Sequence, residues 1–193
     1  LFLILPFFVA ACGNKKHKSA TPKQVFNINL SSGSLESLDP AYAKDLYTMW
    51  TAHMLYNTLV ETDSNLQLQP SLAHSWDISP DGLSYTFHLR SNVYFHPSDL
   101  FTIPDKRKMT AADVAYSFAR IIDPVTASSG AWIFNGHVKD AKSFEAINDS
   151  TFVLHLTAAF RPMLAMLSMP YCSIVPQEVT THFGKDFRSH PCG

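Results

Sequence analysis

Residues 79–90, Ser-Pro-Asp-Gly-Leu-Ser-Tyr-Thr-Phe-His-Leu-Arg, join a turn to an alternating segment and decide the fold. Pro80 sets φ for the first central position of the turn, and Gly82 can take the positive φ that bulkier residues resist. Apolar side chains then occupy every second position, at Tyr85, Phe87 and Leu89. Because side chains alternate between the two faces of a strand, this pattern predicts a half-buried strand with Thr, His and Arg on its other face.

The residues after this strand predict a loop and a capped helix. The alternation stops at Asn92 and resumes over residues 93–95, so we expect the strand to restart there. Thr110 and Asp113 have the spacing of a capping box, in which their side chains satisfy free N–H groups at a helix start. Helical spacing of apolar residues follows, and Asp123-Pro124 predicts the end of the helix.

Further elements are predicted along the chain by the same rules. Asp45 is expected to cap a helix whose apolar face carries Leu46, Met49, Trp50, Met54 and Leu55, with Trp50 and Met54 in the core. Pro176 and Gly184 predict the start and the end of a late helix. Another helix is expected over residues 160–169, and strands over residues 25–30, 144–147, 151–156 and 171–175.

Composition limits the function. The chain has 193 residues, 46% of them hydrophobic and 16% charged, which fits a globular protein with a core. Its net charge of −1 gives no reason to expect nucleic acid as a partner. We find no nucleophile, zinc-protease or dinucleotide motif, and His96 with Asp99 lacks a third ligand at suitable spacing, so no catalytic site, metal or cofactor is predicted. Cys172 and Cys192 would pair in an oxidising compartment only if their elements bring them close enough, which the sequence leaves open.

The first residues predict an export signal and an anchor. Residues 1–11 are apolar but too short to span a bilayer, which takes about 20 residues, so they indicate a signal peptide whose beginning is missing. Val9-Ala10-Ala11-Cys12 resembles the lipobox of bacterial lipoproteins, which implies lipidation of Cys12. Residues 12–24 would then carry the lipid and a flexible tether. The alternative is an ordinary signal peptide with an incidental cysteine.

Residues 76–120 resemble the signature of the family 5 extracellular solute-binding proteins, the oligopeptide and dipeptide receptors of ABC importers. The matching positions are Trp76, Ser79-Pro80-Asp81-Gly82, Tyr85-Thr86-Phe87, Leu89-Arg90, Val93, Phe95-His96, Thr110-Ala111, Asp113-Val114, Tyr116-Ser117 and Arg120. One departure is the charged insertion over residues 97–108, where the family usually has a short turn.

The resemblance implies an α/β, two-lobed fold of the type II periplasmic-binding-protein kind that closes at a hinge, with only its N-terminal part in this chain. Residues 25–45 would begin lobe I, and residues 46–170 would form a small subdomain packed on it. Residues 171–193 would return to lobe I, where the sequence looks truncated.

The resemblance also implies a site and partners. Ser34, Leu35 and Glu36 would line the cleft and pair with the backbone of a short peptide, although a plain connecting strand is the alternative. Counting back from Gly136-His137 places Trp132 where an aromatic touches the peptide, unless it is a buried anchor of its loop. The protein would be a monomer in a bacterial cell envelope, in the periplasmic space or at the cell surface. It would be held to a membrane by lipid and would deliver peptide to the membrane subunits of an ABC permease. Alternatives within the family are nickel, haem or a sugar as ligand, and an envelope lipoprotein hydrolase is an alternative of another class.

Overall fold

A computed structural model describes residues 35–193. The predicted signal peptide, Cys12, the tether, the strand over residues 25–30 and Ser34 all lie outside the described residues. Within residues 35–193, none of the helices has both the length and the apolar composition that crossing a membrane requires.

Two antiparallel sheets organise the described region. The strands are β1 (Val60–Thr62), β2 (Leu68–Pro70), β3 (Ala73–Ile78), β4 (Ser84–Leu89), β5 (Phe144–Asn148) and β6 (Thr151–His155). β1 and β2 form a short hairpin, while the larger sheet has the order β3-β4-β6-β5. β3 and β4 pair on either side of the turn predicted at residues 79–82, and β5 and β6, both predicted as strands, pair with each other.

The central strand β4 follows the predicted alternation. Tyr85, Phe87 and Leu89 are buried, while the residues between them are partly exposed. Gly82 has φ +70, and its N–H donates to the Ser79 carbonyl at 2.8 Å, which closes the predicted turn. The restart of the strand over residues 93–95 is wrong, because only Tyr94 forms a bridge, with Lys108. The inserted loop folds back at this point, where the Phe95 N–H donates to the Arg107 carbonyl at 2.9 Å and the Met109 N–H donates to the Val93 carbonyl at 3.0 Å.

Helix α2 (Ala111–Ile122) packs against β5 and β6. The Asp113 carboxylate accepts a hydrogen bond from the Thr110 N–H at 2.8 Å, so the predicted capping box is present. Phe118 is fully buried, and its ring lies 5.2 to 5.7 Å from three other rings. Those rings belong to Phe134, Phe144 and Phe152. This aromatic cluster is the centre of the core.

Helix α1 (Leu46–Leu55) begins at Asp45 as predicted, but it buries another face. The expectation that Trp50 and Met54 lie in the core is wrong, because their exposed fractions are 52% and 60%. The helix instead buries Thr48 and Ala52. Met49 and Leu55 pack against the core from its margin, while Leu46, Trp50 and Met54 stay more than half exposed.

The last third of the chain is less regular than predicted. The helix expected over residues 160–169 shortens to α3 (Met163–Met166), and the predicted strand over residues 171–175 is wrong. A 3₁₀ helix, Pro170–Cys172, begins there instead. After it, the Ile174 N–H donates to the Asn57 carbonyl and the Val175 N–H donates to Ser117 Oγ, so these amides bond to separate elements and not to one partner strand. Helix α4 (Gln177–Phe183) follows Pro176 and ends before Gly184, as expected.

The two described cysteines are not joined. Cys172 and Cys192 are both free and buried, so the disulfide left open by the sequence does not form. Burial raises the pKa of both thiols, that of Cys192 to about 11. They therefore stay protonated at neutral pH and behave as small core residues.

Candidate ligand-binding site

The predicted site residues Leu35 and Glu36 lead directly into a tightly held 3₁₀ turn, Pro40–Tyr42. The Ala41 carbonyl accepts hydrogen bonds from Ser128 Oγ at 2.6 Å and from the Ser129 N–H at 3.1 Å. The Tyr42 hydroxyl donates to the Thr126 carbonyl at 2.5 Å. These bonds bring two parts of the chain that lie about 90 residues apart in sequence into one place.

A buried ion pair fixes the end of α2 to the same turn. Arg120 donates to Asp39, whose side chain is 2% exposed, with one N–O distance of 2.9 Å. Burial alone would lower the pKa of Arg120, but the hydrogen bonds and charge of Asp39 raise it. The same guanidinium lies over the Phe187 ring, 5.7 Å from its centroid. Arg120 therefore joins α2, the turn and the segment after α4, and it stays charged.

A cavity of about 310 Å³ opens beside this turn. We call it the Glu36 cavity. Its lining includes Glu36, Tyr42, Thr48 and Ser129, so residues near the N-terminal and the central site predictions meet at one opening. A volume of this size is at the lower end of small-ligand pockets, about 300 to 1,000 Å³.

A larger groove of about 1060 Å³ adjoins the Glu36 cavity. We call it the α2–α4 groove, because residues of both helices line it together with residues 134–136 and 138–141. Tyr42 and Lys185 line both spaces, which makes them neighbours. Sequence reasoning gave no signal for this groove.

Charged side chains are prominent around the Glu36 cavity. Lys44 and Glu36 form an exposed ion pair at 3.1 Å. Asp45 accepts hydrogen bonds from the amides of Tyr47 and Thr48, and that with Thr48 is the main reason that its pKa lies below the ordinary value. Lys185 and Arg188 also line the cavity, and sequence reasoning missed both. The predicted helix ends at Gly184, so no sequence pattern linked these two residues to the site.

Trp132 lies at the exposed centre of a 3₁₀ helix, Ala131–Ile133. Ile133 and Phe134 are fully buried and hold this helix, whereas half of Trp132 is exposed. The alternative that Trp132 is a buried anchor is therefore wrong, and its role toward a ligand stays a prediction. Leu35 is exposed too, and neither Leu35 nor Trp132 lines the Glu36 cavity or the groove.

Metal-binding side chains do not converge in the part of the chain that the structure describes. No group of three or more His, Cys, Asp or Glu residues in that part is placed to hold a metal ion. Chemically, the site offers hydroxyl groups and charges of both signs.

Comparison with protein families gives one match that covers most of the chain. The family model described as "Bacterial extracellular solute-binding proteins, family 5 Middle" matches residues 67–193. This range includes the turn, the hairpin and the capped helix from which the sequence resemblance was drawn.

Individual relatives point the same way. Heme-binding protein A of Haemophilus influenzae is 38% identical over 136 residues, which are 66% of this chain and 24% of that protein. Di/tripeptide-binding protein 2 of Pseudomonas aeruginosa is 34% identical over 172 residues, 82% of this chain and 32% of that protein. The chain therefore spans about a quarter to a third of the length of these relatives.

A solved structure shares the fold. The ABC transporter-associated periplasmic binding protein DppA from Helicobacter pylori, in complex with the peptide STSA, superposes with a TM-score of 0.69 at 32% identity. The match covers 81% of this chain and 33% of that one. The predicted α/β fold, part of the type II periplasmic-binding-protein architecture, is confirmed.

Proposed function

Because the chain belongs to family 5 of the bacterial extracellular solute-binding proteins, we propose that it is the substrate-binding lipoprotein of an ABC importer. In this proposal it captures short peptides in a cleft between two lobes and passes them to the permease in the membrane. The family is one of solute-binding transport proteins, and the proposed function breaks no bond in the peptide.

The observation that carries the proposal is the meeting of Glu36 and Ser129 at the Glu36 cavity. Leu35 and Glu36 are exposed, so a peptide can reach the chain at this point. A ligand that pairs with exposed main chain gains affinity without the protein reading its side chains. Ser34 would extend this contact, and Trp132 would offer flat apolar area to a ligand side chain.

The proposal also covers domains and location. Residues 25–45 would begin lobe I, residues 46–170 would form the small subdomain, and residues 171–193 would return to lobe I. Cleavage before Cys12 and its lipidation would anchor the protein to a membrane of the bacterial envelope. The tether would leave a monomer free to meet its permease.

A second ligand is favoured by one specific observation, the 38% identity to Heme-binding protein A. Haem is larger and flatter than a tripeptide, and the α2–α4 groove offers about 1060 Å³ beside the Glu36 cavity. Nickel, a sugar and the hydrolase function stay alternatives that no contact or cavity among the described residues favours.

Calorimetry on the full-length protein tests the function with trialanine as probe. We expect Trp132→Ala to weaken binding by about 3- to 10-fold, the effect of losing one aromatic contact, with unchanged circular dichroism. Trp50→Ala is the matched control, because Trp50 is exposed to the same degree but lies on α1, outside the residues that the resemblance assigns to the ligand.

The outcomes separate the alternatives. Equal affinity of Trp132→Ala and the wild type would show that Trp132 lies outside the cleft. Binding of hemin without binding of trialanine would favour the haem reading. Cleavage of the peptide during incubation, seen by mass spectrometry, would exclude a purely binding role.

A further inference from the structure

We propose that Lys185 and Arg188 form a carboxylate-binding subsite where the Glu36 cavity meets the α2–α4 groove. The proposal rests on the proposed function and deepens it, because it names the chemical group of the ligand that this end of the site takes.

The geometry begins with the 3₁₀ helix Gly184–Ser189, which follows α4. In a 3₁₀ helix the side chains at positions i and i+3 eclipse each other, so Lys185 and Arg188 stand on the same face. Both residues line the Glu36 cavity, and Lys185 lines the groove as well. Both cationic residues therefore border one shared opening, the Glu36 cavity.

The helix that carries them is held in place from the other side. Phe187 is fully buried under the guanidinium of Arg120. The Arg188 carbonyl accepts a hydrogen bond from the Leu38 N–H at 2.8 Å. Because the backbone is fixed by these contacts, little backbone conformational entropy is lost when the two exposed side chains bind a ligand.

The local charges leave these two cations without a carboxylate. Lys44 is paired with Glu36, and the Asp45 carboxylate accepts amide hydrogen bonds at the start of α1. Among residues 35–193, no ion pair involves Lys185 or Arg188. The cavity thus carries an excess of positive charge from three cations and two carboxylates, which favours an anionic ligand group.

The side-chain chemistry selects a carboxylate. A guanidinium binds both oxygens of a carboxylate through two parallel hydrogen bonds, and a nearby ammonium adds a compact charge. A peptide ends in a carboxylate, and haem carries two propionates. The subsite therefore suits either ligand, and the experiment needs one arm for each.

The test compares each acid with its uncharged form on the full-length protein. Calorimetry would measure trialanine against trialanine amide, and hemin against hemin dimethyl ester. For the acid that binds, we expect the wild type to prefer it over the uncharged form by about tenfold or more. The double variant Lys185→Gln, Arg188→Gln should reduce this preference to about twofold or less.

A matched control removes the same two charges elsewhere. Lys106→Gln, Arg161→Gln replaces one exposed lysine and one exposed arginine that line neither space, and it should keep the full preference. Unchanged circular dichroism and melting temperature would show that both variants fold, as expected for exposed side chains.

Two failures are distinguishable. If an acid binds and the Lys185→Gln, Arg188→Gln variant keeps the wild-type preference, the subsite is wrong while the binding function stands. If neither acid binds the wild type, both the proposed function and the subsite are wrong.

Discussion

Two regions of the molecule differ in where they place their large apolar side chains. One is the layer formed by β5, β6 and α2, and the other is helix α1. In the layer, Phe118 is fully buried among three other phenylalanines. In α1, Thr48 and Ala52 are buried while Trp50 and Met54 are more than half exposed. Both helices begin at a side-chain cap, so the difference lies in packing and not in how the helix starts.

The comparison shows what helical spacing can predict. Spacing identifies which residues share a face, but the neighbouring elements decide which face is buried. α2 has a sheet of the same chain beside it, and its apolar face meets that sheet. α1 buries Thr48 and Ala52 instead. Among residues 35–193, nothing covers most of the surface of Leu46, Trp50 or Met54.

The largest expected effect is in the aromatic cluster. Phe118→Ala should lower the free energy of unfolding by about 3 to 5 kcal/mol, since it removes a buried ring and leaves a cavity. Urea denaturation of the full-length protein would measure this as a lower midpoint at an unchanged slope. Phe118→Leu, which keeps most of the volume, should lose less than half as much and serves if the alanine variant does not fold. A loss below about 1 kcal/mol for Phe118→Ala would contradict the packing described for the layer.

The sequence predicts correctly those features that depend on residues close together in the chain, and it fails for features that need a distant partner. The cap at Thr110, the helix end at Asp123-Pro124 and the turn at Gly82 were predicted because each depends on a few adjacent residues. The strand predicted over residues 171–175 does not form, because a strand needs a partner and the amides there bond to single groups on other elements. Strand propensity without a partner is a weak guide.

The candidate site depends on longer-range contacts still. Glu36 meets Ser129 only because the Pro40–Tyr42 turn is bonded to the loop over residues 126–129, and no local pattern contains that information. Only the resemblance to a family placed Leu35, Glu36 and Trp132 near a ligand, and their role remains a prediction. Lys185 and Arg188 were missed because exposed cations are common on protein surfaces, and only the structure shows that these two line the same cavity.

A smaller loss of stability is expected for a substitution in the turn that leads into β4, beside the well-packed layer. Gly82→Ala should cost about 1 to 2 kcal/mol, because φ is +70 and the added Cβ would lie 3.2 Å from Ala159 Cβ. Gly136→Ala is the control, since φ is +80 there with nothing within 4 Å of an added Cβ. It should cost about 1 kcal/mol, the strain alone. The difference between the two urea midpoints measures crowding, and a larger loss at Gly136 would contradict this account.

The smallest expected effect is the one that decides how α1 is understood. Leu46→Gln and Met54→Gln replace exposed apolar side chains by a residue of similar helix propensity, so each should change the free energy of unfolding by less than about 0.5 kcal/mol. Urea denaturation beside Phe118→Ala gives the matched measurement. A loss of about 2 kcal/mol or more for both variants would mean that α1 is covered in the full-length protein by residues other than 35–193. The two regions would then no longer differ, because α1 would also bury its large apolar side chains. The surface that covers them would come from outside the described residues.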